Sequence, residues 1–328
     1  MIKPLSLLAC VLALASPAFG QTACEGATAA LTASFDAADV PTVLAAWVAV
    51  KSSDCPPVTI TGARGQTSAV VARVAQGQMA QGDVDGAEAT VLQAPGMHWA
   101  VQAVRGDIAA ARGQRAEAAK LYNAALDTLG DPGLTVQSKQ LEPVATRLAQ
   151  LAQENMMLAG SMDSSISRGG EATGVMGMVS RGLVIEKVPV TAAADPAYVA
   201  PEYNVVTAAA QSVETVFLPI NFDFDSDRLD IAGLREALRL SEFLKANKVS
   251  EITISGHTDD AGGADYNLDL SLRRAESLAA FLVDDNVGTT IFVQGFGESE
   301  PPTLIDAGVY SFEEFRTIAR RVEVSFAY

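Results

Sequence analysis

The last third of the chain alternates β-type and helix-type segments, and no other feature constrains its fold as strongly. The β-type segments are rich in apolar, β-branched and aromatic residues, and they comprise residues 215–224, 251–256, 290–297 and 320–326. Helical segments lie between them, joined by short connections. This β-α-β-α-β-α-β order predicts an α+β domain, at 216–328, in which helices pack on one face of a mixed sheet.

Two of the intervening segments carry apolar residues at helical spacing. Asp230 is a suitable N-cap for the first helix, because its carboxylate can accept hydrogen bonds from the first turn. The apolar spacing also predicts which side chains face the sheet. These are Leu234, Ala237, Leu238, Ser241 and Leu244 in the first helix, and Leu268, Leu272, Ala275, Ala279 and Leu282 in the second.

Residues 21–159 have a different character, because they are rich in alanine and show no β-type alternation. They predict an all-α region of successive short helices. Within it, AQGDVDGAEATVLQA and ARGQRAEAAKLYNAA align without gaps at an offset of 31 residues, which pairs Gly82 with Gly113 and Ala87 with Ala118. We expect glycine at the turn of each helical hairpin and alanine where its two helices pack closely.

This pattern is similar to that of tetratricopeptide-type helical repeats, which place small residues and an aromatic at comparable positions. Here these are Trp99, Gly106, Ala118 and Tyr122. The offset is shorter than that family's repeat of about 34 residues. Two interpretations stay open. Either the helices form a groove for another envelope protein, or they form a packed layer that binds nothing.

The N-terminus has the pattern of a secretory signal peptide. Lys3 precedes an apolar run, Pro17 follows it, and we expect cleavage after Gly20, so that residues 1–20 are removed. A lipoprotein is the alternative, because Cys10 follows Leu-Leu-Ala, although the apolar run before it is short. The later sequence contains no apolar stretch long enough for a membrane-spanning helix. We therefore expect an exported protein.

Cys24 and Cys55 are the only cysteines that remain once the signal peptide is removed. Export brings them into a compartment that permits disulfides. Each lies at one end of a predicted helical hairpin, so we expect a disulfide between them. Two unpaired, half-buried thiols are the alternative.

Residues 160–215 connect the two regions. In their first part glycine, serine and methionine replace helix formers, which predicts a flexible linker. Their second part contains three prolines and a short β-type stretch at 183–188. That part either connects the two regions or wraps around the domain that follows.

The net charge argues against one class of partner. The chain carries a formal net charge of −16 at pH 7. Nucleic acids and anionic membranes attract basic surfaces. We therefore expect no nucleic-acid partner.

Several short motifs follow one another near the C-terminus. They are GHTD at 256–259, Asn267, Leu270 with Ser271, Arg274 with Ala275, Gly295 with Gly297, and Arg320 with Arg321. In this order and spacing they resemble the C-terminal peptidoglycan-binding domain of the OmpA-like family, over residues 216–326. The chain departs from the family at Ala319, where asparagine is usual, so a polar contact at the pocket rim is missing or replaced.

The resemblance implies a site for meso-diaminopimelate, an amino acid of many Gram-negative cell walls whose free end has an ammonium and a carboxylate on one carbon. Asp259 would bind the ammonium and Arg274 the carboxylate, because a guanidinium can donate to both carboxylate oxygens. A purely structural ion pair between these two side chains is the alternative. The implied ligand set also includes Thr258, Asn267, Asp225 and Arg321.

The other residues around this site have supporting roles in the prediction. We expect Asn267 to fasten the glycine-rich loop at 261–264 through its side-chain amide. Asp225 would make a secondary contact, Arg321 would contribute charge or support the fold, and His257 would brace the loop by hydrogen bonding.

The sequence favours binding over catalysis. It has two histidines and offers no set of nucleophile, base and orienting group. The acidic stretch at 221–230 lacks the glycine and the distal glutamate of a calcium loop, so we expect neither metal nor cofactor.

The resulting prediction is a non-enzymatic periplasmic protein, with an association to the outer membrane left open. It would bind peptidoglycan with its C-terminal domain and another envelope protein with its helical region. The alternative is an envelope enzyme or assembly factor that acts on peptidoglycan and uses the C-terminal domain only for targeting.

Overall fold

The computed structural model describes residues 18–36, 39–135, 139–159, 185–187, 203–205, 213–218, 220–223 and 225–327. Residues 1–17 of the predicted signal peptide lie outside this set, and with them Cys10. Most of the predicted linker at 160–215 also lies outside it, and the domain boundaries remain predictions. Among the described residues, no helix combines the length and the apolar character that crossing a membrane requires.

The described part of the N-terminal region is helical, as predicted. Its helices are α1 (Ala18–Ser34), α2 (Val40–Ser52), α3 (Pro57–Ala80), α4 (Val84–Val91), α5 (Trp99–Ala111), α6 (Arg115–Gly130) and α7 (Glu142–Ala159). A short 3-10 turn, Lys139–Leu141, precedes α7.

The repeat of 31 residues is visible as two equivalent helical hairpins, α3–α4 and α5–α6. In each, a glycine in the left-handed region ends the first helix, with φ of 80° at Gly82 and 71° at Gly113. The same backbone bond closes both turns, because Asp83 N donates to the Gln78 carbonyl and Gln114 N donates to the Ala109 carbonyl. Only glycine adopts this conformation without steric cost. This explains why glycine recurs at the offset of 31 residues.

Small residues allow the helices of each hairpin to pack closely. Ala87 and Ala118, which are equivalent in the repeat, are both fully buried. A side chain at Gly106 would begin only 2.6 Å from the ring of Tyr122. Tyr122 fills that space instead, and its hydroxyl donates to Asp107 at 2.8 Å.

The predicted disulfide is confirmed. Cys24 in α1 and Cys55 just before α3 are bonded, with Cα atoms 5.1 Å apart and a sequence separation of 31. Both lie in a small core of their own that includes Trp47 and Val50. The bond therefore joins α1 to the chain segment that follows α2.

The C-terminal domain is α+β, as predicted. Its strands are β1 (Ile185–Lys187), β2 (Tyr203–Val205), β3 (Val213–Leu218), β4 (Glu251–His257), β5 (Thr290–Gly297) and β6 (Val322–Ala327). Its helices are α8 (Ile231–Asn247), α9 (Ala264–Asp284) and α10 (Phe312–Ala319).

The strands form one six-stranded sheet in the order β2-β1-β3-β6-β4-β5. β4 and β5 are parallel, whereas β6 is antiparallel to both β3 and β4. The mixed sheet is therefore confirmed. Strands β1 and β2 lie within the predicted linker, and β1 falls in the β-type stretch at 183–188.

Two details of the helices and strands differ from the sequence prediction. Leu234, Leu238, Leu268 and Leu272 were expected in the core, but they are 39%, 47%, 51% and 36% exposed. In addition, the strand within the β-type segment 215–224 is β3, and it ends at Leu218, which a proline follows in the sequence. A proline has no N–H to continue the hydrogen-bond ladder.

The buried stripes of α8 and α9 overlap the predicted ones in part, because Ala237, Ser241 and Leu244 of α8 and Ala275 and Leu282 of α9 are buried as predicted. In α8 the side chains of Leu240 and Phe243 are buried, and Phe243 packs edge-to-face on Phe326 of β6 at a centroid distance of 5.6 Å. In α9 the corresponding side chains are Leu278 and Leu282. Leucines occur on more than one side of each helix, and contact with the sheet decides which of them is covered.

The two regions share a hydrophobic core. Leu126 of α6 and Met156 of α7 belong to the same buried cluster as Leu240 of α8 and Val324 of β6. The last helices of the N-terminal region therefore pack on the C-terminal domain.

We expect Cys55→Ser to lower the free energy of unfolding of the N-terminal helices by about 2–4 kcal/mol, because the bond closes a long loop in the unfolded chain. Urea unfolding followed by circular dichroism, with and without reductant, measures the change. Reductant should destabilise the wild type and leave the variant unaffected. Equal stability of the oxidised wild type and the variant would contradict the expectation.

Glu236 in α8 predicts a pH-dependent stability. Its side chain is 3% exposed and accepts a bond from Arg239 at 3.0 Å. Burial raises the pKa of the Glu236 carboxyl to about 7, against the opposing charge of Arg239. A carboxyl whose pKa is higher in the folded state than in the unfolded chain contributes stability at low pH, and that contribution is lost as the pH rises through 7.

We therefore expect Glu236→Gln to be more stable than the wild type at pH 8, by up to about 3 kcal/mol. The difference should shrink toward pH 4.5. Glu242→Gln, on the exposed side of the same helix, is the control and should change the free energy of unfolding by less than about 0.5 kcal/mol. A difference independent of pH would show that Glu236 is not responsible.

Candidate functional site

The loop that follows β4 lies at the end of the central strands and leads into α9. Gly256 must be glycine, because a Cβ there would lie 2.0 Å from the Ser271 carbonyl oxygen of α9. The next residues stay attached to β5, since Thr258 N donates to the Gly297 carbonyl at 2.8 Å. The chain then turns at Gly262, with φ of 107°, and α9 begins.

Helix α9 is joined to β5 beneath this loop. The hydroxyl of Ser271 accepts a bond from Gly297 N at 2.8 Å and donates to the Leu268 carbonyl at 2.8 Å. Gly297 has φ of 56°, and a Cβ there would lie 2.9 Å from Leu268 N. The serine and the second glycine of the motif series are thus structural, and they set the distance between helix and strand.

Asp259 is held in place from several sides. Its Oδ1 accepts a bond from Ala261 N at 3.1 Å, and its Oδ2 accepts one from Arg320 Nη1 at 2.5 Å. The side-chain amide of Asn267 donates to the Asp259 carbonyl at 3.3 Å and to Glu298 at 2.6 Å. The amide of Asn267 therefore fastens the loop, as expected. The residue is buried, with 2% of its surface exposed.

Arg274 lies on the same side of α9, across from the segment that follows β3. Its Nε donates to the Ser226 carbonyl at 3.0 Å, and its guanidinium lies 5.2 Å from the ring centre of Phe222. Burial lowers the pKa of Arg274, and the charge of Arg320 lowers it further. Within the described part of the chain, its terminal nitrogens Nη1 and Nη2 have no hydrogen-bond partner. They remain available to an anion.

Asp225 also lies near this guanidinium. Its backbone has φ of 51°, and its Oδ1 accepts a bond from the Tyr266 hydroxyl at 2.5 Å. The carboxylates of Asp225 and Asp259 oppose the lowering of the Arg274 pKa, which shows that both are close enough to interact electrostatically. By contrast, Arg273 is paired with Asp269 at 2.9 Å.

Thr258 and His257 lie beneath the loop. The Thr258 hydroxyl is buried and has no hydrogen-bond partner among the residues that the structure describes. His257 is 1% exposed, and its ring stacks on Phe296 at 5.3 Å. Burial, together with the charge of Arg321, lowers the pKa of His257 to about 3. The ring is therefore neutral. The backbone N–H of His257 donates to the Arg321 carbonyl at 3.0 Å, but neither ring nitrogen has a hydrogen-bond partner among the described residues, so the expected bracing by this side chain is not seen.

Arg321 occupies a different position from the other predicted ligand residues. It is 4% exposed, and its guanidinium donates to Glu323 at 2.7 Å and to the Glu300 carbonyl at 3.2 Å. Burial lowers its pKa, and Glu323 opposes this. These contacts agree with support of the fold, which was one of its two expected roles.

Arg320, although part of the motif series, and Arg316 were not among the predicted ligand residues. Arg320 pairs with Asp259, and Arg316 Nε donates to Asp260 at 2.8 Å. The signal was present, because residues four apart on a helix lie on the same face, and α10 thereby presents both arginines to two adjacent acids. Which residue of the Arg320–Arg321 pair faces the loop depends on where β6 begins, and the motif alone does not reveal this.

The result is a site in which the guanidinium groups of Arg274 and Arg320 lie near the carboxylates of Asp259 and Asp225, beside the loop after β4. A carboxylate has about four acceptor positions. Ala261 N and Arg320 Nη1 occupy two of those on Asp259. Asp259 therefore keeps acceptor positions, and Arg274 keeps two terminal nitrogens, that no described residue occupies. No group of three or more His, Cys, Asp or Glu side chains in the described residues is arranged to hold a metal ion.

These contacts define an α+β domain with a charged loop between a central strand and the next helix. Residues 221–309 match the profile of the OmpA family. The C-terminal part of the chain therefore contains an OmpA-family domain.

Several curated proteins are also similar to this chain. Outer membrane porin F of Pseudomonas aeruginosa is 34% identical over 141 residues, which are 42% of this chain and 37% of the porin. A peptidoglycan-associated lipoprotein of Mesorhizobium japonicum is 31% identical over 88 residues, which are 26% of this chain and 52% of the lipoprotein. The chain thus spans about half, or less, of the length of these relatives.

The crystal structure of the peptidoglycan-associated lipoprotein from Burkholderia pseudomallei is also similar. It matches with a TM-score of 0.28 and 26% sequence identity, over 33% of this chain and 87% of that one.

Proposed function

We propose that the C-terminal domain binds peptidoglycan without a covalent bond, through meso-diaminopimelate in the peptide stems, and so anchors an envelope assembly. The free end of that residue carries an ammonium and a carboxylate on one carbon. Asp259 receives the ammonium, and Arg274 receives the carboxylate through its two terminal nitrogens. The observation that carries this proposal is that no described residue bonds to these nitrogens, while Ser226 and Phe222 hold the guanidinium.

Arg320 influences which ligand charges the site favours. Its bond to Asp259 fixes the carboxylate, whose side chain is 11% exposed. Its charge, beside that of Arg274, favours an anion over a second cation. An ammonium alone would meet two guanidinium groups, and a carboxylate alone would meet Asp259. A ligand with both charges a few ångströms apart satisfies the whole site.

The expected affinity is modest. Each hydrogen bond to a charged group contributes about 1.5–3 kcal/mol, and association costs offset much of the sum. The expected dissociation constant for the free amino acid is therefore between about 1 μM and 1 mM. Weak binding is sufficient for an anchor, because the cell wall presents many copies of the ligand to one protein.

The relatives support an envelope location and a binding role. Their names place them in the outer membrane or describe them as associated with peptidoglycan. Together with the predicted signal peptide, this favours a periplasmic protein that contacts the cell wall. We propose a non-catalytic role, and a hydrolysis assay on purified sacculi distinguishes it from a wall-modifying enzyme.

The helical region offers a second surface. A cavity of about 510 Å³ lies among α3, α5 and α7, and its walls include Ala72, Val104 and Leu148. Arg147 lines the cavity, is exposed, and has no acidic side chain within ion-pair distance in the described residues. We propose that another envelope protein inserts an apolar segment with an acidic group here.

Wall binding is tested by co-sedimentation with purified sacculi that contain diaminopimelate. We expect the wild type to pellet, free diaminopimelate to release it, and Asp259→Ala and Arg274→Gln each to weaken binding at least tenfold, since each removes a charge-assisted contact. Arg273→Gln is the matched control, because the adjacent Arg273 is occupied by Asp269, and it should pellet like the wild type.

Sacculi in which lysine replaces diaminopimelate supply the specificity test. Lysine lacks the carboxylate that Arg274 would bind, so binding should weaken about tenfold or more. Equal pelleting of the Arg273 and Arg274 variants would refute the assigned site. Equal binding to both kinds of sacculi would refute diaminopimelate as the ligand.

The partner surface is tested with a photo-crosslinking residue at Ala103, which lines the cavity, and with the same residue at Val58, which is 78% exposed on α3. In intact cells we expect a specific crosslinked band from position 103 and none from position 58. Arg147→Glu should abolish that band, because it reverses the charge at the cavity. The same band from both positions would contradict the proposal.

A further inference from the structure

Helix α7 docks on the segment between β5 and α10 through a fully buried carboxylate. Glu154 is 0% exposed. It accepts bonds from the Tyr310 hydroxyl at 2.6 Å, from Ile305 N at 3.1 Å and from the side chain of Gln150 at 3.0 Å. Gln150 also donates to the Thr303 carbonyl at 2.6 Å. Two of the three donors to Glu154 belong to the C-terminal domain, so its hydrogen bonds are complete only in the docked arrangement.

Helix α6 adds an arginine to the same interface. Arg115 donates to Glu314 Oε1 through Nε at 3.0 Å and through Nη2 at 2.5 Å. Its guanidinium lies 5.3 Å from the ring centre of Tyr310, and its Nη1 donates to Asn155 at 3.3 Å. The Arg115 side chain is 13% exposed, and a partly buried pair of this kind is less screened by solvent than a surface ion pair.

Glu314 controls the start of α10. Its Oε2 accepts bonds from the backbone N–H of Ser311 and from the Ser311 hydroxyl, both at 2.9 Å, while Glu314 N donates back to that hydroxyl at 3.3 Å. This is a capping box. One oxygen of Glu314 therefore caps the helix, and the other is held by Arg115 of the helical region.

The opposite end of α10 belongs to the candidate site. Arg316 pairs with Asp260, and Arg320, at the C-cap, pairs with Asp259. A helix of this length spans about 12 Å and behaves as one rigid unit. Its first turn is thus fixed by the helical region, and its last turn fixes the carboxylate that receives the ligand.

We propose that Arg115 and Glu154 are positioning residues for the wall-binding site, because they hold α10 where Arg320 orients Asp259. This inference rests on the function proposed above and adds that the helical region sets the affinity of the C-terminal domain. The two regions then form one binding unit in which neither positioning residue touches the ligand.

The experiment measures binding of the full-length protein to diaminopimelate-containing sacculi and competition by the free amino acid. Arg115→Met keeps the aliphatic stem and removes the bonds to Glu314, and we expect it to weaken binding three- to tenfold. Tyr310→Phe removes a single hydroxyl from Glu154, and we expect a loss of two- to threefold. Arg112→Met is the control, because Arg112 pairs with Asp85 and Glu88 inside the helical region, and its binding should match the wild type.

A double variant separates positioning from general destabilisation. If Arg115 acts through Arg320, Arg115→Met should cause no further loss in a protein that already carries Arg320→Gln. Losses that simply multiply in the double variant would overturn the inference, and so would wild-type binding by Arg115→Met.

Circular dichroism checks that each variant is folded, and Tyr310→Phe decides the question should Arg115→Met fail to fold. Wild-type binding by Tyr310→Phe would then count against the inference. A wild-type protein that does not bind sacculi would instead overturn the proposed function, so the two failures are distinguishable.

Discussion

The close packing of helix α9 against strands β4 and β5 is the constraint on which the candidate site depends. Gly256 leaves room for the Ser271 carbonyl, and Ser271 in turn binds the backbone of Gly297. Because helix and strands are in direct backbone contact, the loop between β4 and α9 is short, and Asp259 emerges beside Arg274. A bulkier residue at either glycine would separate helix from sheet and move the two charges apart. The residues that make the site and those that make the fold are therefore neighbours in the same motif.

The site shows how local charge differs from overall charge. The chain carries a net charge of −16, yet two guanidinium groups lie together at the candidate site. Their repulsion is tolerated because Asp259 neutralises Arg320, whereas the aromatic ring of Phe222 and a backbone carbonyl hold Arg274. The half-buried guanidinium of Arg274, which donates to a neutral carbonyl, is the group that we propose for the anionic end of the ligand. The acidic surface elsewhere disfavours anionic polymers in general, so selectivity arises from the geometry of a few side chains.

The contacts between the two regions are as specific as those within each region. A buried carboxylate with three donors, and an arginine that donates twice to one carboxylate oxygen, have defined geometry, whereas a purely apolar contact could slide. They converge on α10, which also supplies the arginine that orients Asp259. The helical region is therefore in direct contact with the helix whose C-cap arginine pairs with Asp259.

The sequence by itself determined the order of the C-terminal helices and of strands β3 to β6, the repeat of 31 residues and the pairing of Cys24 with Cys55, and its resemblance to a known family named Asp259 and Arg274 as candidate ligand residues. These depend on local pattern, turn chemistry and motif spacing, which are written along the chain. Tertiary structure alone decided which leucines of α8 and α9 face the sheet, and that Arg320, not Arg321, lies at Asp259. It also decided that α7 docks on the C-terminal domain. Each of these depends on contacts between residues far apart in sequence, so the free energy that selects them exists only once the elements have packed together.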